Sequence, residues 1–305
     1  MLYPVLLGKG PGVLRIRRWI TLATLVSVLG GCGLSADPAP EPIELGDQSR
    51  WEMPLDANSL RLNDTLRFEY ASSLLIGPCL SRMGFNVPEP WLDIEEFVAR
   101  ENVNHLGRLL FTPESASTWG YRKAPQQSDL SQLEARDSVI AQMRDDTPGF
   151  DEAFLRCVEE GYEIFGEDWV GAGNYAMGLA SNASADAQQE PDVIETAKLW
   201  RECMENAGAG VLPSSPIEMP TQSMVNSWQP DDDGLPPAAE ISVAVSDAQC
   251  RESSGFTDAF YSAEWQAQLK LIDVNRDSLL GGSQTLQEWR TQVDAIIGSH
   301  VEENL

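Results

Sequence analysis

The sequence predicts a mainly α-helical fold: two similar helical halves, each closed by a disulfide, and a long C-terminal helix or helical hairpin. Three observations predict it. Four cysteines stand shortly before glycines, in segments whose apolar residues recur at helical spacing. Helix-opening prolines and a helix-closing glycine bracket several of those segments. An apolar stripe then runs from Trp265 to Ile296 at roughly heptad intervals. No alternating strand–helix pattern is visible.

Taken in order, the chain of 305 residues opens with four cations (Lys9, Arg15, Arg17 and Arg18) and no acid before Cys32. An apolar segment follows from Trp19 to Leu29, too short for a bilayer, which needs about 20 apolar residues. A basic start, a short apolar run and small residues form the pattern of a signal peptide, expected over residues 1–31. Leu29-Gly30-Gly31-Cys32 resembles the lipobox of bacterial lipoproteins, with glycine at position 30 where alanine or serine is more usual. The resemblance implies that the thiol of Cys32 receives a diacylglyceryl group and that the cysteine becomes the first residue of the mature chain. Acyl chains on Cys32, of the kind palmitate supplies, would then hold the protein to the outer face of the cell membrane. Two chains suffice, since each buried CH₂ contributes about 0.8 kcal/mol and one chain alone is marginal. Residues 32–55, with Pro38, Pro40, Pro42 and Pro54, are expected to be an acidic, proline-rich tether.

With Cys32 set aside, Cys79, Cys157, Cys203 and Cys250 remain, and an even count in an exported chain points to disulfides. Three pairings are open. The cysteine contexts read CLSRMGF, CVEEGY, CMENAG and CRESSGF. A glycine four or five residues on suits a helix C-terminus, so each cysteine is expected in the last turn or two of a helix. Pro148 can open the second of these helices, and Pro191 the third, with Val193, Ala197, Trp200 and Met204 on one face. Ile241, Val245 and Ala248 recur likewise before Cys250. The paired contexts suggest a duplication over residues 56–180 and 190–305, joined by the polar SNASADAQQE. That organisation favours Cys79–Cys157 with Cys203–Cys250. After Thr257 the stripe of Trp265, Leu269, Ile272, Leu279, Leu286, Val293 and Ile296 predicts a long helix, interrupted at Gly281-Gly282 and restarted by a Thr285–Glu288 capping box.

Segments of the form helix-CM-x-x-x-G, the Trp119-Gly120-Tyr121 loop and AVSDAQCRESSGF leading into a long helix resemble a group of secreted or lipid-anchored actinobacterial proteins. The resemblance implies fold and location and carries no activity with it. Cys157-x-x-x-Gly161 departs from it by one residue.

Charge narrows function further. The whole chain has 21 Lys and Arg against 47 Asp and Glu, a formal charge of −26. Loss of residues 1–31 leaves it more acidic still, which excludes nucleic acid as a partner. The chain has no G-x-S-x-G, H-E-x-x-H, C-x-x-C, P-loop or G-x-G-x-x-G, so no catalytic residue and no cofactor is assigned. Its two histidines, His105 and His300, read as structural or surface residues, and no transition-metal site is expected. Asp273-Val-Asn275-Arg-Asp277 opens like a calcium loop, but Ser278 and Gln284 stand where such a loop needs glycine and a bidentate acid. Asp231-Asp232-Asp233-Gly234 reads as a solvated loop. Trp200, Trp265 and Trp289 fall on helical faces and are expected in the core. Trp119 and Tyr121, flanking a glycine, are the candidate ligand-contacting aromatics. The functional expectation is a lipid-anchored, non-enzymatic binding or accessory subunit at the cell envelope, its partners membrane lipid and an envelope complex. The alternatives are a cell-wall hydrolase with paired carboxylates and, less favoured, a solute-binding lipoprotein.

Overall fold

The computed structural model of the protein describes residues 45–88, 110–122, 131–228 and 235–303. Cys32, the expected signal peptide, His105 and Asp231–Gly234 lie outside them. Among the described residues all regular structure is helical. The described residues form ten α-helices: α1 (Leu62–Arg82), α2 (Pro113–Trp119), α3 (Ser131–Asp146), α4 (Phe150–Phe165) and α5 (Asp168–Ala187). The others are α6 (Pro191–Asn206), α7 (Gln222–Ser227), α8 (Ala238–Ser254), α9 (Phe256–Val274) and α10 (Arg276–Glu303).

Local chemistry sets many of the boundaries. Pro191 occupies the first turn of α6, where its missing N–H costs nothing, and Val193, Ala197, Trp200 and Met204 are all buried as the spacing predicts. Gly255, at φ +72°, closes α8 and opens α9 in one step. Gly84 and Gly208 also take positive φ after their helices. Gly161 does not: it is buried within α4, which runs on to Phe165 and closes at Gly166, φ +69°. Cys157 therefore sits mid-helix, more than two turns from the end. Its glycine, one residue early, continues the helix, and the cap has moved to Gly166.

The C-terminal break also lies elsewhere than expected. Gly281-Gly282 are internal to α10, and Thr285 bonds back to the Gly281 carbonyl rather than capping a new helix. A Cβ built on Gly282 stands 3.5 Å from the Ala172 Cβ, so the small residues let α10 and α5 approach. The break falls at Asn275, whose side-chain amide takes the Leu271 carbonyl at 2.8 Å and whose Oδ1 accepts from the Tyr175 hydroxyl at 2.7 Å. Asp273 is paired with Arg276 across the same corner. These polar groups of the calcium-like motif are engaged with the protein, and no metal-holding cluster of acids, cysteines or histidines occurs among the described residues.

The helices pack as a series in space that differs from their order in sequence. α4 lies on α1, α1 on α10, α10 on α5, α5 on α9, α9 on α6, α6 on α8, and α8 on α2. Helices from residues 56–180 and 190–305 thus intermingle, and one core cluster joins Phe68, Tyr70 and Phe165 to Trp289, Val293 and Ile297. Trp200 and Trp289 are core residues and Trp265 packs partly buried against a core cluster. Disulfides Cys79–Cys157 and Cys203–Cys250 staple α1 to α4 and α6 to α8, with Cα separations of 5.7 and 5.6 Å. Cystines of this kind persist in oxidising, extracytoplasmic compartments. No described helix is long and apolar enough to cross a membrane.

The end of the expected tether is instead part of the core. Residues 48–50 and 54–58 form short 3₁₀ turns, and Trp51, Met53 and Leu55 are buried. A left-handed turn at Trp51 (φ +51°) and the 3₁₀ turn that begins at Pro54 set these side chains toward the helices. This strap is bolted to α9: the Trp51 indole N–H donates to Glu264, the Leu55 N–H to Gln268, and the Tyr261 hydroxyl to the Glu52 carbonyl. At its far end Arg290 grips Asp64 and the Ser59 carbonyl.

Candidate functional site

A cleft lies where the strap, the chain entering α2, and the junction of α8 with α9 meet. One chamber, of about 190 Å³, is lined by Trp51, Phe111, Ile217, Met219, Phe256 and Phe260. A second chamber of about 350 Å³ adjoins it, sharing Phe111, Arg251 and Thr257. Gln48, Thr112, Glu114, Glu252 and Asp258 supply the polar rim.

The inner wall is rigid for reasons that begin in α8. Its buried face carries Glu240, Ala244, Asp247 and Ala248, so two acids lie where apolar residues would be expected. Alanines at 244 and 248 let α2 pack close, with Ala116 fully buried against them. Asp247 is wholly buried and held by three donors: Trp200 Nε1 at 2.8 Å, the Arg251 guanidinium at 2.8 Å through two nitrogens, and the Tyr121 hydroxyl at 3.0 Å. A buried carboxylate is stable only with such a donor set. Arg251 also donates to the Pro216 carbonyl at 2.6 Å and lies over the Phe111 ring at 5.2 Å. Its charge is spent within the protein, although its side chain lines the cleft.

Glu240 performs the same service about two turns earlier. It accepts from the Tyr121 N–H at 3.2 Å and from Arg122 at 3.0 and 3.2 Å. Gly120 makes this possible: its φ of +57° and ψ of −128° suit glycine alone, and a Cβ there would stand 2.7 Å from Glu240 Oε1.

The structure places the two sequence-predicted aromatics differently from one another. Tyr121 is half-buried in a stack, 5.4 Å from Phe111 on one side and 5.7 Å from Trp228 on the other, with interplanar angles of 13° and 11°. Burial, and then the charge and hydrogen bond of Asp247, push its phenol well above the usual range. Tyr121 therefore supports Phe111 from behind and lines neither chamber. Trp119 ends α2 half-buried and lines neither chamber. The residues that do form the cleft, above all Phe111, Arg251, Phe256 and Phe260, were not singled out from sequence. The available signal was Asp247 followed four residues later by Arg251 on a helix, a spacing that sets the pair side by side.

The chain matches no family profile, no curated protein and no solved structure.

Proposed function

We propose that the protein is a lipoprotein, anchored by lipidated Cys32 to the outer face of the cell membrane, and that it serves there as a non-enzymatic binding or accessory subunit. The observation that carries the reading is the strap. The segment leading out of the proposed tether supplies Gln48 and Trp51 to the wall of the cleft, so attachment and binding wall share one piece of chain.

The two buried acids behind the cleft's back wall are committed to the fold and do not form a hydrolytic pair. A carboxylate pair of the glycosidase kind needs one acid free to give a proton and another free to attack or activate water. Glu240 and Asp247, the buried acids nearest the cleft, are instead occupied by Arg122, Arg251, Trp200 and Tyr121.

Metabolic labelling with a palmitate analogue tests the anchor: label is expected on the wild-type protein and lost with Cys32→Ser. A Cys32→Ser protein that still labels overturns it. A photocrosslinking residue at Thr257, on the cleft, is expected to capture a defined envelope protein in intact cells, and capture of none overturns the accessory role.

A further inference from the structure

We infer that the strap, residues 47–58, is a latch: it leaves α9 as one unit while the helices stay folded, and in leaving takes down one wall of the cleft. Such a latch goes beyond the reading above, because it depends only on the strap's own contacts and not on the lipidation of Cys32.

The bonds that hold the strap to α9 run through side chains: Gln48 to Asp258, Trp51 to Glu264, the Leu55 N–H to Gln268, and Tyr261 to the Glu52 carbonyl. Within the strap, backbone bonds close locally, from Arg50 and Glu52 to the Asp47 carbonyl and from Asp56 to Met53. Each cystine joins helix to helix, and the strap contains no cysteine. Its apolar side chains, Trp51, Met53 and Leu55, enter two core clusters that include residues of α9. The clusters that join α1, α4 and α10, and α6 to α8, contain none of them, so those helices keep their packing when the strap goes. Arg290, gripping Asp64 and the Ser59 carbonyl, fixes the hinge.

The closed state carries costs that release returns. Trp51, at φ +51° and ψ +41°, is the one non-glycine among the described residues with positive φ, a conformation strained for a bulky side chain. Gln268 is wholly buried; its Oε1 accepts from Leu55, while its Nε2 meets no acceptor among the described residues. The Glu264 carboxylate is kept from water beneath the Trp51 indole. All three costs sit where strap meets α9, and the ordering of residues 47–58 adds backbone entropy to them. Backbone strain of this kind collects at switch segments, and a unit so held opens more often than the whole fold. On opening, Trp51 withdraws from Phe260 and Tyr261, whose ring centroids lie 6.0 and 5.2 Å from its own, and from the chamber it lines. Gln48 leaves the second chamber with it.

Native-state hydrogen exchange of the full chain, read by mass spectrometry at low guanidinium, tests the latch. Peptides from residues 47–58 are expected to exchange at least about ten-fold more readily than α1 and α10, with little dependence on denaturant. Ile297→Val, in the core joining α1 to α10, is expected to speed exchange in those helices about two- to ten-fold and leave the strap's rate unchanged. Trp51→Phe is expected to open the strap about ten-fold more often, through loss of the Glu264 bond. Trp51→Ala is expected to leave the strap unprotected and the helices native by circular dichroism. Its uncovered α9 face is expected to bind the neutral apolar dye Nile red, which the wild type does not.

A strap whose exchange follows Ile297→Val and shares the denaturant dependence of α1 unfolds only with the whole fold, and overturns the latch. So does wild-type strap exchange at the unfolded-chain rate, which leaves no closed state to release. Loss of helical structure in Trp51→Ala overturns it as well, because the helices must stand without the strap. An unprotected strap with no dye bound overturns the uncovering of α9.

Discussion

The indole N–H of Trp51 donates to the Glu264 carboxylate at 3.1 Å, joining two buried residues 213 positions apart. Tyr261, Glu264 and Gln268 follow one another along a face of α9, and all three bond the strap. Each satisfies a polar group that strap burial would otherwise strand. The fold is therefore closed by a segment that precedes every described α-helix.

Trp51→Phe keeps a ring in place and removes the donor. A hydrogen bond to a charged group is worth about 1.5–3 kcal/mol, and the smaller ring adds a packing loss. The guanidinium unfolding midpoint should fall accordingly, with the slope unchanged. A midpoint equal to wild type would mean the strap contributes nothing to global stability.

Asp247 is the charged hub of the cleft's back wall. Asp247→Ala strands the Trp200 N–H, the Tyr121 hydroxyl and two bonds of Arg251 at once. Removing one partner of a buried ion pair costs about 3–5 kcal/mol. Pairing it with Arg251→Met removes the uncompensated cation, so the double variant should be less destabilised than the sum of the singles. Strict additivity in denaturant titrations would show that the pair is not coupled.

How much of this was legible in the sequence follows from what each residue type advertises. Pro191 and Gly255 announce helix ends through backbone geometry, and the face of Val193, Ala197, Trp200 and Met204 follows from spacing. The strap was read as tether because Pro54 and the surrounding acids advertise solvated chain. Its three buried apolar residues are too few to outweigh them, and their partners lie more than 200 residues away. Glu240, Asp247 and Glu264 were missed because an acid on a helix reads as a wet face until its donors are known. The break at Asn275 was placed at Gly281-Gly282 because local flexibility is visible in sequence, while a close approach to Ala172 is not. The cleft needs four separated segments and so had no local signature.

Each cystine closes a long loop, 78 and 47 residues in separation. The chain-entropy relation assigns about 4 kcal/mol to either, with the longer loop slightly ahead. Cys79→Ser with Cys157→Ser loosens α1 from α4, whereas Cys203→Ser with Cys250→Ser loosens α6 from α8, beside the cleft. Both pairs should lower the melting temperature. Only the second should also weaken binding at the cleft. Equal effects on binding would mean that the helix series transmits disorder along its whole length.

Alkaline titration separates the tyrosines by environment. Tyr261 is pushed up to about 12 by burial first and then by Glu52 and other nearby acids, and Tyr121 is pushed up further by burial and Asp247. An unfolded tyrosine loses its proton near pH 10. Above that pH the folded chain holds protons that the unfolded chain has released, so stability must fall as pH rises. The contribution is whole below about pH 10 and, for Tyr261, is lost as pH passes through about 12. Absorbance near 295 nm at pH 11 should therefore report fewer ionised tyrosines in the native protein than in guanidinium, with circular dichroism still native. Tyr261→Phe should flatten the decline of melting temperature over this window, because it removes one of the two protons that drive it. Were all the tyrosines to ionise together near pH 10 without unfolding, neither phenol could be held in the bonds to Asp247 and the Glu52 carbonyl, since each bond requires the protonated form.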